Sequence, residues 1–104
     1  MDTKNKLIFT TPAQQDFEKI VLYHAENSGG AYAGKIYRTM RERFERLKEF
    51  PLMGSMHPDA VLRADGFRTL VLTKTYVAIY KYAGDTVTIY AIVNGRTDYP
   101  KLLK

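Results

Sequence analysis

The side chains able to do chemistry are few, and several sit together at the end of the sequence, in TVTIYAIVNGRTDYPKLLK. Arg96, Asp98 and Tyr99 follow one another behind Asn94-Gly95, a pair that marks a tight turn. Arg96 and Asp98 are close enough to form a local ion pair that stiffens the tail, and both also offer charge to a target. Tyr99 offers a ring that stacks on a nucleic-acid base or packs against a sheet edge, while Pro100 stops further strand growth. Arg68, upstream, is placed to hold a carboxylate of a partner or to support the tail; its bland reading is a solvated strand arginine. His57, in MHPD, is the one histidine in a loop where a general base could act, although no orienting carboxylate accompanies it.

Other chemistries lack their residues. The sequence has no cysteine, so disulfides and thiolate metal sites are excluded, and His24 and His57 lie too far apart for a helical metal pair. No metal and no cofactor is expected. The net charge of +5, with a pI near 9.5, favours an acidic partner: nucleic acid, a ribosome or an acidic protein segment. Excess lysine on an ordinary soluble protein accounts for it equally well.

The elements that must position these residues are read from periodicity. At 104 residues, with 45% apolar and 26% charged residues, the chain is expected to form one domain over 1–104 with a single core. No apolar run approaches the roughly 20 residues that span a bilayer. The start, MDTKNKLIFTT, lacks the apolar stretch of a signal peptide, so a cytoplasmic location without membrane contact is expected. KLIFT, residues 6–10, reads as a short strand. Thr11 is placed to cap a helix, with Pro12 at its first position and Gln14 completing a capping box. Ala13, Phe17, Ile20, Val21 and His24 give that helix an apolar stripe, and Ser28-Gly29-Gly30 stops it.

A second helix is expected from about Ala31 to Glu49, with Ala33, Ile36, Tyr37, Met40, Phe44 and Leu47 facing the core. Its other side pairs Arg38 with Glu42, Glu42 with Arg46 and Arg41 with Glu45, each pair contributing about 0.2–0.5 kcal/mol. Interleaved acids and bases favour a solvated face over a nucleic-acid stripe. Residues 51–66, PLMGSMHPDAVLRADG, read as a long connecting loop. Strands are then expected at 67–73, 76–82 and 86–93, the last two joined by Gly84-Asp85 in a type II′ turn. The order predicts an α+β fold, β-α-α-β-β-β, with two helices on one face of an antiparallel sheet.

A two-residue turn at Gly84-Asp85 pairs Tyr82 with Val87, Tyr80 with Ile89, Ala78 with Ala91 and Tyr76 with Val93. With Phe67, Thr69 and Val71 turned to the helices, the opposite face carries Arg68, Leu70, Leu72, Val77, Ile79, Lys81, Thr88, Tyr90 and Ile92. Such a face is too apolar to stay bare, and a partner segment is expected to cover it.

The glycine-aromatic-arginine start at Gly66-Phe67-Arg68, the EFPLMG segment after the second helix, and the terminal NGRTDYPKLL together resemble the ParE/RelE toxin superfamily, over nearly the whole chain. The resemblance implies a toxin of a bacterial type II toxin–antitoxin pair, held inactive by a co-encoded antitoxin whose flexible, acidic C-terminal segment folds onto it. RelE-like members cut mRNA in the ribosomal A site, and ParE-like members inhibit DNA gyrase. RNA cleavage needs a base for the 2′-hydroxyl, a donor for the leaving oxygen and cations around the phosphate. On that reading Arg68, Arg96 and Tyr99 would carry it. RelE-like members place an arginine after the first aromatic residue of the middle strand, and here that position is Val77; Lys74 or Lys81 could substitute. Arg96-Thr97-Asp98 also looks ParE-like. The resemblance is therefore more ParE-like than RelE-like. The expected binding residues for target or antitoxin are Arg68, Leu70, Leu72, Val77, Ile79, Tyr90, Ile92, Arg96, Asp98 and Tyr99. A ribosome-dependent endoribonuclease and an inactive member that only binds its antitoxin stand as alternatives.

Overall fold

The computed structural model describes residues 5–95, so Arg96, Asp98 and Tyr99, expected to bind target or antitoxin, lie outside the described residues. Strand β1 (Lys6–Phe9) leads into α1 (Thr11–Ser28) and α2 (Gly30–Glu49). A two-residue strand β2 (Ser55–Met56), a short helix α3 (Ala60–Ala64), and strands β3 (Arg68–Val71), β4 (Tyr76–Ala83) and β5 (Thr86–Asn94) follow. The sheet order is β1-β5-β4-β3-β2, with α1 and α2 packed on one face. The α+β class holds, but the sheet is mixed: β1 runs parallel to β5. A parallel pair needs a long crossover, and the helical hairpin together with the meander supplies one.

The N-cap of α1 is Thr10, one residue earlier than expected. Its Oγ1 accepts from the Ala13 amide at 3.2 Å, which leaves Pro12 near the helix start where its missing N–H costs nothing. Gly29, at φ +91°, ends α1 by donating to the Ala25 carbonyl and begins α2 by accepting from the Ala33 amide. A single residue with positive φ thus joins the two helices. The core stripe of α2 is as expected, with Ala33, Ile36, Met40, Phe44 and Leu47 buried, except that Tyr37 is half exposed. Full burial of a side chain such as Phe44 or Leu47 contributes about 1.5–3 kcal/mol. On the outer side Arg41–Glu45 forms at 3.7 Å, whereas the pairs expected of Glu42 are not made among the described residues.

The β4–β5 register follows the turn as far as Tyr82–Val87 and Tyr80–Ile89, then shifts. Tyr90 is an extra residue on β5, so Ile79 faces Ala91, Ala78 faces Ile92 and Val77 faces Val93. This bulge corrects the expected pairs Ala78–Ala91 and Tyr76–Val93. It also moves Ile92 from the outer face into the core. β3 pairs Arg68 with Tyr80 and Leu70 with Ala78, one residue out of phase with the expectation. Leu70 and Leu72 are therefore core residues beneath the helices, and Phe67, Thr69 and Val71 take the other face. The four-residue connection 72–75 produces this phase, with Thr73 Oγ1 accepting from the amides of Thr75 and Tyr76 at 3.0 Å each.

The segment read as a loop carries β2 and α3. Asp59 caps α3, its Oδ1 accepting from the amides of Val61 and Leu62 at 2.9 and 3.0 Å. His57 is fully buried there, not poised as a base. Its Nδ1 accepts from the Asp59 amide at 3.1 Å, its amide donates to the Phe67 carbonyl, and its carbonyl accepts from Arg63. Burial pushes the His57 pKa below 6.5, against the pull of Asp59 and with the help of Arg63.

Two outcomes follow from this connection. A Cβ at Gly54 would run into the Thr69 carbonyl oxygen and come within 2.7 Å of the Tyr80 hydroxyl, so Gly54→Ala should destabilise the fold by about 1–3 kcal/mol in urea unfolding. An unchanged midpoint would refute that packing. Because His57 holds its proton less tightly when folded, its share of stability is complete above pH 6.5 and declines as pH falls through the folded value. The urea midpoint should therefore drop between neutral and mildly acidic pH, and His57→Gln should shrink the drop; an identical drop in the variant would exclude His57 as its source.

Candidate partner-binding surfaces

Arg68, expected on the outer face, lies on the helix side of β3. Its Nη2 donates to the carbonyls of Leu52 and Gly54 at 3.1 and 2.8 Å, and its buried Nε has no hydrogen-bond partner among the described residues. A guanidinium held this way by main-chain oxygens braces a loop. Tyr80, fully buried in the neighbouring strand, completes the brace. Its hydroxyl donates to the Pro51 carbonyl at 2.7 Å and accepts from the Gly54 amide at 3.2 Å. Carbonyls of Pro51, Leu52 and Gly54 are thus all engaged, and the side chains of Phe50, Leu52 and Met53 are left on the outside.

The face away from the helices carries Val77, Ile79, Lys81 and Tyr90 as expected, joined by Phe67, Val71 and Ile8. It is less bare than expected, because Ile79 and Val93 are buried and Leu70, Leu72 and Ile92 have gone to the core. Lys81 is committed here. Its Nζ lies 3.1 Å from Asp65 Oδ2, 4.4 Å from the Phe67 ring centroid and 5.7 Å from that of Tyr90. Phe67 and Tyr90 meet edge to face at 5.1 Å. With Arg68 on the other side and Val77 apolar, Lys81 and Lys6 are the basic residues that the described strands direct to this face.

The helical hairpin offers a second surface that the periodicity alone did not single out. A groove of about 570 Å³ runs between α1 and α2, lined by Phe9, Phe17, Val21, Leu22, Tyr37 and Arg41. Phe17 stacks near Tyr37 at 5.5 Å and leans on Phe44 at 5.9 Å, so the floor is continuous with the core. Leu22 and Tyr37 are exposed along its walls. The signal was present in the sequence: Leu22 and Tyr37 widen the two apolar stripes beyond what a single core face uses.

Further along α1, His24 sits as expected on the inner side, its Nε2 2.9 Å from the Tyr76 hydroxyl. Tyr23, Tyr32 and Tyr76 surround its ring. Burial, reinforced by Tyr23 and Tyr32, raises the Tyr76 pKa, so that hydroxyl stays protonated near neutral pH. Of the eight tyrosines, Tyr76 and Tyr80 are buried and Tyr82 packs on the core, which removes them as base-stacking platforms.

Comparison with known proteins places this architecture. A sequence profile described as ParE toxin of type II toxin-antitoxin system, parDE, matches residues 7–99. A search of curated protein sequences returns no match. Among solved structures, the chromosomal ParDE TA system from P. aeruginosa aligns with a TM-score of 0.72 at 24% identity, covering 86% of this chain and 95% of that one. The YoeB/ParE toxin from Agrobacterium tumefaciens aligns at 0.61 with 13% identity, over 86% and 96% of the two chains. The protein HP0894 from Helicobacter pylori aligns at 0.57 with 14% identity, over 88% and 96%. The profile spans most of the sequence and the fold aligns with these structures, so on the profile the chain belongs to the ParE toxin family of type II toxin–antitoxin systems.

Proposed function

We propose that this toxin acts by binding DNA gyrase in the cytoplasm, and that a co-encoded antitoxin neutralises it. The observation that carries the non-catalytic reading is the state of Arg68, whose guanidinium is engaged by the Leu52 and Gly54 carbonyls. Lys81 is paired with Asp65, and Val77 occupies the place where RelE-like toxins resemble one another in carrying an arginine. Stabilising a cleaving phosphate needs cations aimed at one point, and the described residues do not converge in that way.

The antitoxin fits the groove of the helical hairpin better than the sheet face expected from sequence. A flexible acidic segment that folds as an amphipathic helix would lay its apolar side on Phe17, Val21, Leu22 and Tyr37 and its carboxylates near Arg41. The net charge of +5 supports an acidic partner. No described helix is long and apolar enough to cross a membrane.

Purified toxin should inhibit gyrase supercoiling and leave mRNA uncut on programmed ribosomes. Cleavage of A-site mRNA that is lost in Arg96→Ala would overturn this in favour of the endoribonuclease, and harmless induction in cells would favour an inactive member. Leu22→Glu should weaken binding of the antitoxin by about ten-fold or more while leaving gyrase inhibition in place. Undiminished antitoxin affinity in that variant would remove the hairpin groove from the interface.

A further inference from the structure

The segment after α2 combines two properties that ordinarily oppose one another. Phe50, Leu52 and Met56 are 54%, 61% and 57% exposed, and Met53 is exposed beside them. Four large apolar side chains within seven residues form a patch of the kind that marks a contact surface. The backbone beneath them is nevertheless held firmly. Tyr80 and Arg68 engage the carbonyls of Pro51, Leu52 and Gly54, the Met53 amide donates to the Phe50 carbonyl at 3.0 Å, and Ser55–Met56 pairs with β3. A mobile loop loses conformational freedom when it docks, and a segment already ordered by the fold loses little.

The surroundings indicate what such a surface would meet. Phe50, Pro51, Leu52 and Met53 border a groove of about 630 Å³ whose other walls are Arg46, Glu49 and Tyr82. Arg46 lies over the Phe50 ring at 5.5 Å and forms no ion pair among the described residues. Along the outer side of α2, Lys35, Arg38, Arg41, Arg46 and Lys48 outnumber Glu42, Glu45 and Glu49, and with Arg41 and Lys48 sharing Glu45 the side keeps a positive excess. The complementary surface is therefore acidic, with an apolar recess or side chain at its centre. Twelve residues of helix lie between Tyr37 in the hairpin groove and Phe50, a distance of roughly 20 Å at 1.5 Å rise per residue. A segment seated between the helices need not reach this lip.

We propose that the Phe50–Met56 lip, with Arg46 at its rim, is the surface by which the toxin grips its target: an acidic, folded protein surface that receives Phe50 and Leu52. Exposed apolar side chains on a braced backbone suit contact with a preformed partner, whereas the hairpin groove suits a segment that folds as it binds. The proposal rests on the reading of gyrase as target and adds which residues hold it.

The test uses the full chain with purified gyrase holoenzyme and, separately, the cognate antitoxin. The double variant Phe50→Ser/Leu52→Ser and the single variant Arg46→Glu are compared with wild type for supercoiling inhibition, antitoxin affinity and thermal midpoint. The expected result is a loss of inhibition of about ten-fold or more in both, with antitoxin affinity unchanged. Inhibition within about two-fold of wild type in folded variants would overturn the lip while leaving the gyrase reading intact. Loss of antitoxin binding with inhibition retained would also overturn it. A wild-type toxin without effect on gyrase would instead overturn the target reading, and the lip's assignment with it. Should the double variant unfold, Arg46→Glu, which changes an exposed charge, decides the matter alone.

Discussion

One buried hydroxyl organises the middle of this molecule. Tyr80 stands in a central strand with its ring in the core and its oxygen at the point where the chain leaves α2. A phenol hydroxyl removed from water without a partner costs about 1–3 kcal/mol, so the fold must bring it a donor and an acceptor. Pro51 and Gly54 are what it brings. Gly54 has to be glycine because its backbone lies against that hydroxyl and the Thr69 carbonyl. With the chain pinned there, Arg68 is drawn across to the neighbouring carbonyls, and Ser55–Met56 falls beside β3 as the edge strand. The exposed side chains of the connection are a consequence of how its backbone is satisfied.

How much of this was legible differs by element. Both long helices could be read because their apolar residues recur at helical spacing and their ends carry threonine, proline and glycine signals. The sheet faces were harder. Phe67-Arg68-Thr69-Leu70-Val71-Leu72 alternates plausibly in either phase, and the choice is made by the connection through Thr73, not by hydropathy. Ile92 was misplaced for a different reason. A bulge at Tyr90 leaves no mark in composition, yet it reverses the facing of every later residue in β5. Resemblance supplied the family, and it did so through terminal and loop motifs that periodicity cannot interpret.

The site residues divide along the same lines. Val77, Ile79 and Tyr90 were placed on the outer face by simple alternation and remain there. Leu70, Leu72 and Ile92 are in the core because register, which no single strand encodes, determines facing. Arg68 shows why residue type is a weak guide to role. An arginine on a strand has five donors, and here main-chain carbonyls of a nearby turn take up the guanidinium before any partner arrives. The hairpin groove and the lip escaped notice because both are built by side chains that look like surplus core residues until the helices are packed.

The parallel pairing of β1 with β5 has a bearing on synthesis. It joins positions eighty residues apart, Lys6 to Thr86 and Leu7 to Val87. Contacts of such separation form late, because the intervening chain must be ordered before they return any stability. Phe9, whose ring meets Phe17 and Phe44 in the floor of the hairpin groove, therefore gains its strand partner only after β5 has emerged from the ribosome. A nascent chain stopped before that strand has neither a closed sheet nor a completed hairpin groove, so the two are finished at the same step of translation.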